Sequence, residues 1–241
     1  MIPLLQHSNI PTAEAEADAD RLPHPTRPNW LWRSLQVILR IVFIVWLRYR
    51  VRGLKHVPPE GGGLSLVNHQ SFLDPLLVQL GMSRPVSWIG RENLFRVPLI
   101  GWIIRKTYSM PIKRESGGTA IIRESVRRMQ HGFLVGIYPE GTRTSDGSVG
   151  PFKPGFVAMI RRGKLPVYPV GIAGAFHALP RGAWFLRPRK VRVVFGEPIP
   201  FEELEPLCAR GREDELVQLA HDRVTAAKNE ADEWLQKGRR S

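Results

Sequence analysis

Apolar and polar positions follow different rules in successive parts of the chain. Residues 1–28 carry five prolines and an Ala/Glu/Asp stretch without helical or strand period, which predicts a flexible tail. The apolar run at 2–5 is too short for a secretory h-region and lacks a cationic segment before it, so no signal peptide is expected. Residues 30–51, WLWRSLQVILRIVFIVWLRYRV, then form the most apolar window. A spanning helix needs ~20 predominantly apolar residues. Arg33, Gln36 and Arg40 interrupt this window and, at 100° per residue, fall on one narrow stripe. That pattern predicts a helix in the membrane interface, its polar stripe toward the headgroups and Trp30, Trp32 and Trp46 as anchors. A core helix packed on the domain, and a tilted span with snorkelling arginines, are the other placements the pattern allows.

Beyond Arg52 short apolar runs alternate with helical periods. Strands are predicted at 64–67, 86–89, 109–112, 133–138, 167–172 and 191–195, and helices at 75–80, 98–106, 119–130, 155–162 and 214–236. Such alternation predicts an α/β fold, a mixed and largely buried sheet flanked by helices, preceded by the membrane-interface helix. The expected organisation is a tail at 1–28, a membrane-associated helix at 29–51 and one domain at 52–241.

Composition narrows the function. With 43% hydrophobic and 24% charged residues the chain is neither wholly disordered nor polytopic. A single cysteine, Cys208, excludes an internal disulfide framework and a cysteine metal cage. The net charge of +13 is unevenly placed: four acids in the tail face only Arg21 and Arg27, so residues 29–241 carry +15. A body that basic attracts nucleic acid, an anionic membrane or phosphate-bearing substrates. The clustering of tryptophan in one apolar segment, with no nucleic-acid module, disfavours the first.

Neither a P-loop, a nucleophile elbow nor a zinc-protease helix occurs, and the seven histidines are dispersed. Two other stretches carry chemistry. After the first predicted strand the chain reads Asn68-His69-Gln70-Ser71-Phe72-Leu73-Asp74-Pro75. Pro75 favours a helix start there, with Asp74 as N-cap and His69 in the preceding turn. That turn can fold imidazole and carboxylate together at the carboxyl end of a strand, where Asp74 would hold one tautomer. Equally, Asp74 could be only a cap and His69 an ordinary loop residue. The second stretch, Tyr138-Pro139-Glu140-Gly141-Thr142-Arg143, places an acid, a turn glycine, a hydroxyl and a guanidinium at a strand end, a set suited to phosphate.

Taken together, His69-x-x-x-x-Asp74 and Pro139-Glu140-Gly141-Thr142-Arg143 resemble the glycerolipid acyltransferase family, whose best-known members are bacterial 1-acyl-glycerol-3-phosphate acyltransferases. Further matches follow in family order: Arg91-Glu92-Asn93-Leu94-Phe95, Gly101, Pro111-Ile112-Lys113-Arg114, Phe152-Lys153-Pro154-Gly155 and Leu165-Pro166-Val167-Tyr168-Pro169-Val170. The resemblance covers roughly residues 51–200. It implies transfer of a fatty acyl group from acyl-CoA or acyl carrier protein to the sn-2 hydroxyl of lysophosphatidic acid, without a cofactor, at the cytoplasmic face of the cell membrane. His69 would be the general base and Asp74 its orienting partner. Arg114 and Arg143 would bind the acceptor, with Glu140, Gly141 and Thr142 shaping the same pocket. A thioester is already activated, so Ser71 is expected to be structural. Lys113 beside Arg114, and Met110 where relatives often carry a bulkier aromatic, leave glycerol 3-phosphate or a lyso-amino-acid lipid open as acceptors. An inactive lipid-binding protein is the reading outside enzymology.

Overall fold

The structure, a computed structural model, describes residues 22–91, 95–112 and 117–237 of the 241-residue chain. Helix α1 (Trp30–Leu47) comes first, followed by strands β1 (Arg50–Arg52) and β2 (Gly63–Val67), helix α2 (Asp74–Gly81), β3 (Val86–Arg91), α3 (Pro98–Lys106), β4 (Met110–Ile112), α4 (Gly117–Gln130) and β5 (Leu134–Ile137). Helix α5 (Val157–Gly163), β6 (Val167–Ala173), α6 (Ala175–Ala178), β7 (Arg192–Phe195), α7 (Phe201–Leu204) and α8 (Glu213–Lys237) complete the chain. The strands form one seven-stranded sheet in the order β1-β7-β6-β2-β5-β3-β4. All neighbours are parallel except β6 and β7, so the sheet is mixed, as expected.

Alternation along the strands supplies two cores. Val67, Leu134, Val170 and Phe195 face one side, where Phe43 and Leu47 of α1 and Leu77 and Val78 of α2 cover them. Leu64, Leu66, Val135 and Val167 face the other, beneath Val157 and Ile160 of α5 and Leu216 and Val224 of α8. Burial on both faces is what parallel sheets require, and it explains why these strands read as continuous apolar runs. Where α8 crosses β6, a Cβ at Gly171 would sit 2.2 Å from the Lys228 amide nitrogen, so only glycine admits the helix that close.

Helix α1 departs from the expected placement in instructive ways. Asn29 caps it by accepting from the Trp32 amide at 2.8 Å, and Arg48 ends it in the left-handed region at φ 43°. Residues 50 and 51, expected at the helix end, instead belong to β1, which pairs with β7. The polar stripe does not point away from the domain as a unit: Gln36 donates to the backbone carbonyls of Gln79 and Met82 at 3.0 and 2.5 Å. Trp32, expected as an interfacial anchor, is buried in a cluster with Tyr108 and Phe133. Helix α1 is therefore docked along one face, through Trp32, Gln36, Phe43 and Leu47, while Val37, Ile38, Ile41, Val42, Ile44 and Val45 on its other faces remain exposed. The flexible-tail expectation for 1–21 lies outside the described residues. Residues 22–28 are not free: Leu22 packs against the Trp32–Tyr108–Phe133 cluster, which draws that stretch onto the domain.

Candidate active site

Strand pairing brings the two singled-out stretches together. β2 and β5 are parallel neighbours with Leu66 opposite Ile137, so the loops that follow both leave the same end of the sheet. Where β2 runs out, Asn68 extends the ladder with its side chain: its amide donates to the Ile172 carbonyl at 3.1 Å and accepts from the Ile172 amide at 2.7 Å. The main chain is thereby released to turn, and His69 stands at the turn.

His69 Nδ1 and Asp74 Oδ2 are 2.8 Å apart. The same carboxylate oxygen accepts the amides of Gln70 and Ser71 at 2.7 and 2.8 Å. Asp74 is the first residue of α2 and its side chain turns back into the loop, so it caps no helical amide; the helix start at Leu73 has no side-chain cap. The expected N-cap role is thus replaced by a loop-closing one, because three donors converge on Oδ2 from the upstream side. Asp74 is fully buried whereas the His69 side chain keeps 19% of its surface. Burial pushes the Asp74 carboxyl above the ordinary aspartate value, against the opposing pull of the His69 imidazole and the Ser71 and Gln70 amides. A carboxylate so poorly solvated holds a Nδ1 proton tightly, which directs the lone pair of Nε2 outward as a base.

An aromatic wall fixes the ring. Tyr138 stacks on His69 at 3.9 Å between centroids with 13° between planes, and Trp88 stacks on Tyr138 at 5.2 Å. Gly136 makes room for this wall, since a Cβ there would lie 2.6 Å from the Trp88 ring. Neither aromatic was among the residues expected at the site. The signal was present in Tyr138, which abuts Pro139 at the end of β5, but Trp88 reaches the site only through β3–β5 pairing.

Glu140 is buried, and it clamps the two loops rather than facing a ligand. Its Oε1 accepts the His69 amide at 2.7 Å and its Oε2 the Gly150 amide at 3.0 Å. Burial raises its carboxyl as well, opposed by those two amides. The Thr144 amide donates to the His69 carbonyl at 2.8 Å, and Gln70 Nε2 to the Gly147 carbonyl at 2.9 Å. Gly141 takes φ +70° at the turn, with the Lys153 side chain lying over it. Thr142 is exposed, and Arg143 is half-buried with no hydrogen bond or ion pair among the described residues. Ser71 Oγ donates to the Leu179 carbonyl at 2.8 Å, the structural role expected of it. Arg114, Lys113 and residues 92–94 lie outside the described residues.

The model of the family described as Acyltransferase matches residues 48–173, from the end of α1 through β6, and so takes in both loops of the His69 site. The chain belongs to the Acyltransferase family. Among relatives of this acyltransferase, a 1-acyl-sn-glycerol-3-phosphate acyltransferase of Bacillus subtilis is 24% identical over 81% of this chain and 96% of its own. One of Pseudomonas aeruginosa is 30% identical over 64% of this chain and 63% of its own. A chloroplast enzyme of the same name from Brassica napus is 28% identical over 76% of this chain, and the alignment spans 52% of that longer protein. Against the crystal structure of the 1-acyl-sn-glycerophosphate (LPA) acyltransferase of Thermotoga maritima the TM-score is 0.69, with 26% identity over 83% of this chain and 78% of that one.

Proposed function

We propose that this acyltransferase moves a fatty acyl group from the thioester of coenzyme A or of acyl carrier protein to the sn-2 hydroxyl of 1-acyl-glycerol 3-phosphate, forming phosphatidic acid. The His69–Asp74 pair carries the reading: an imidazole at 2.8 Å from a buried carboxylate, at the carboxyl end of the parallel neighbours β2 and β5. His69 Nε2 takes the hydroxyl proton as the alcohol oxygen attacks the thioester carbonyl. The tetrahedral intermediate collapses with cleavage of the C–S bond, and the imidazolium returns the proton to the departing thiolate. Asp74 stabilises the imidazolium between these steps. Arg143, on the loop clamped to His69 by Glu140, and Arg114 are the residues assigned in this reading to the acceptor phosphate, and Gly141 and Thr142 to the shape of that pocket.

The acceptor and product are membrane lipids, and the exposed apolar faces of α1 suit attachment at the cytoplasmic face of the cell membrane. The test is an acyl-transfer assay with purified protein, both thioester donors, and lysophosphatidic acid, glycerol 3-phosphate and a lyso-amino-acid lipid as acceptors. Release of free thiol matched by phosphatidic acid is expected. Transfer to another acceptor alone would move the acceptor assignment, and no transfer with any pair would leave a lipid-binding protein.

A further inference from the structure

The segment between α6 and β7 does not belong to the reaction, yet it has an unusual surface. Its tip exposes Trp184 (94%) and Phe185 (56%), packed edge-on at 6.3 Å between centroids. Arg181, Arg187 and Arg189 around the tip are exposed and have no ion-pair partner among the described residues. The sequence contains no acid at all from 147 to 196, so nothing in that stretch offsets them. A free tryptophan in water is unfavourable, and the segment does not collapse to hide it because its base is held on several sides. The Arg187 amide donates to the Ala178 carbonyl at 2.8 Å, the Ala183 amide to the Pro180 carbonyl at 3.1 Å, and Trp46 Nε1 of α1 to the Leu186 carbonyl at 3.0 Å. Ser71, two residues from His69, bonds the Leu179 carbonyl at the other end.

We propose that residues 179–190 are a second lipid-contacting element, whose Trp184–Phe185 tip enters the headgroup region of an anionic bilayer while Arg181, Arg187 and Arg189 bind its phosphates. The element rests on the membrane reading above and adds to it a contact separate from α1. Amphipathic aromatics favour the headgroup level, and each arginine near an anionic leaflet gains about 1 kcal/mol, roughly a fivefold change in partition. Charge alone would also suit an acidic carrier protein. The unhidden tryptophan and phenylalanine favour a bilayer, and the tie to Trp46 makes the tip continuous with the exposed face of α1. Through Ser71 the contact also sets the height of the His69 loop above the lipid surface.

Sedimentation with phosphatidylcholine vesicles, with and without a third of phosphatidylglycerol, tests the proposal on the full chain. Trp184→Ala/Phe185→Ala should weaken partition about tenfold or more on both vesicles, from the lost apolar burial. Arg181→Ala/Arg187→Ala/Arg189→Ala should weaken it about a hundredfold on the anionic vesicles and little on the neutral ones. Melting temperatures of both should match the wild type, since every altered side chain is exposed. In addition, brominated lipid should quench the fluorescence contributed by Trp184, read as the difference between wild type and Trp184→Phe. Unchanged partition of both variants, or absence of that quenching, overturns the proposal, as does a loss confined to turnover with acyl carrier protein. Wild-type protein that stays in the supernatant with every vesicle overturns the membrane reading and the loop together, whereas failure of the loop variants alone leaves the first standing.

Discussion

At the scale of single residues, the pair His69–Asp74 separates catalysis from folding. His69→Ala should lower acyl transfer by about 10²- to 10⁴-fold, the usual weight of general-base catalysis. Asp74→Asn should also impair turnover, since an amide can accept the Gln70 and Ser71 amides but cannot stabilise an imidazolium. Stability should move the other way. Burial raises the Asp74 carboxyl in the folded chain above its unfolded value, so the folded state binds that proton more tightly and loses stability as pH rises between the two values. The Asn variant has no such loss. Its melting temperature relative to wild type should climb from about pH 4 toward neutrality; a difference that is flat or falls with pH would mean that the carboxylate is stabilising when charged. Arg143→Ala should raise the acceptor KM by roughly ten- to a hundredfold through loss of one charge-assisted contact, with little change for the donor. Acceptor kinetics identical to wild type would remove Arg143 from the phosphate site. Tyr138 shows how local sequence under-reports a site: its ring position against His69 depends on Trp88 and Gly136, neighbours across strands and not along the chain.

At the scale of elements, α1 has two jobs on different faces. Deleting it whole would strip Phe43 and Leu47 from the core and is a poor probe of membrane binding. Substitution of Ile38, Ile41 and Val45 by Asn acts on the exposed face alone, where these side chains are 58%, 60% and 73% exposed. Vesicle partition should fall by about a hundredfold, taking roughly 1 kcal/mol per side chain no longer buried in lipid. The melting temperature should hold. Co-sedimentation at wild-type level in high salt would show that α1 is not an anchor. The helix pattern was legible in the sequence because its apolar residues are contiguous. Which of its faces the domain covers was not, since Gln36 and Trp32 meet partners from residues 79–82 and 108–133.

For the whole molecule, the excess of cations outside the tail predicts a measurable salt response. Partition onto anionic vesicles should drop about tenfold or more from low to high salt as the Debye length shrinks from ~30 Å toward ~3 Å, while partition onto neutral vesicles changes little. Equal salt dependence on both would place the charge away from the membrane-facing side.

The sequence by itself determined the α/β class, the positions of the buried strands and the two stretches that carry the site, because strand burial and turn chemistry are written in near-neighbour residues. It also supplied the resemblance to an acyltransferase family, which the family match over residues 48–173 bears out. Only the tertiary structure decided that Asp74 closes the His69 loop and caps nothing, and that Glu140 clamps that loop to the next. It alone decided that one side of an apolar helix is core while others are free. Each of these depends on which strands lie side by side, and β2 reaches β5 across about 70 residues of chain whose length the pairing register, unlike the local pattern, spans at a single step.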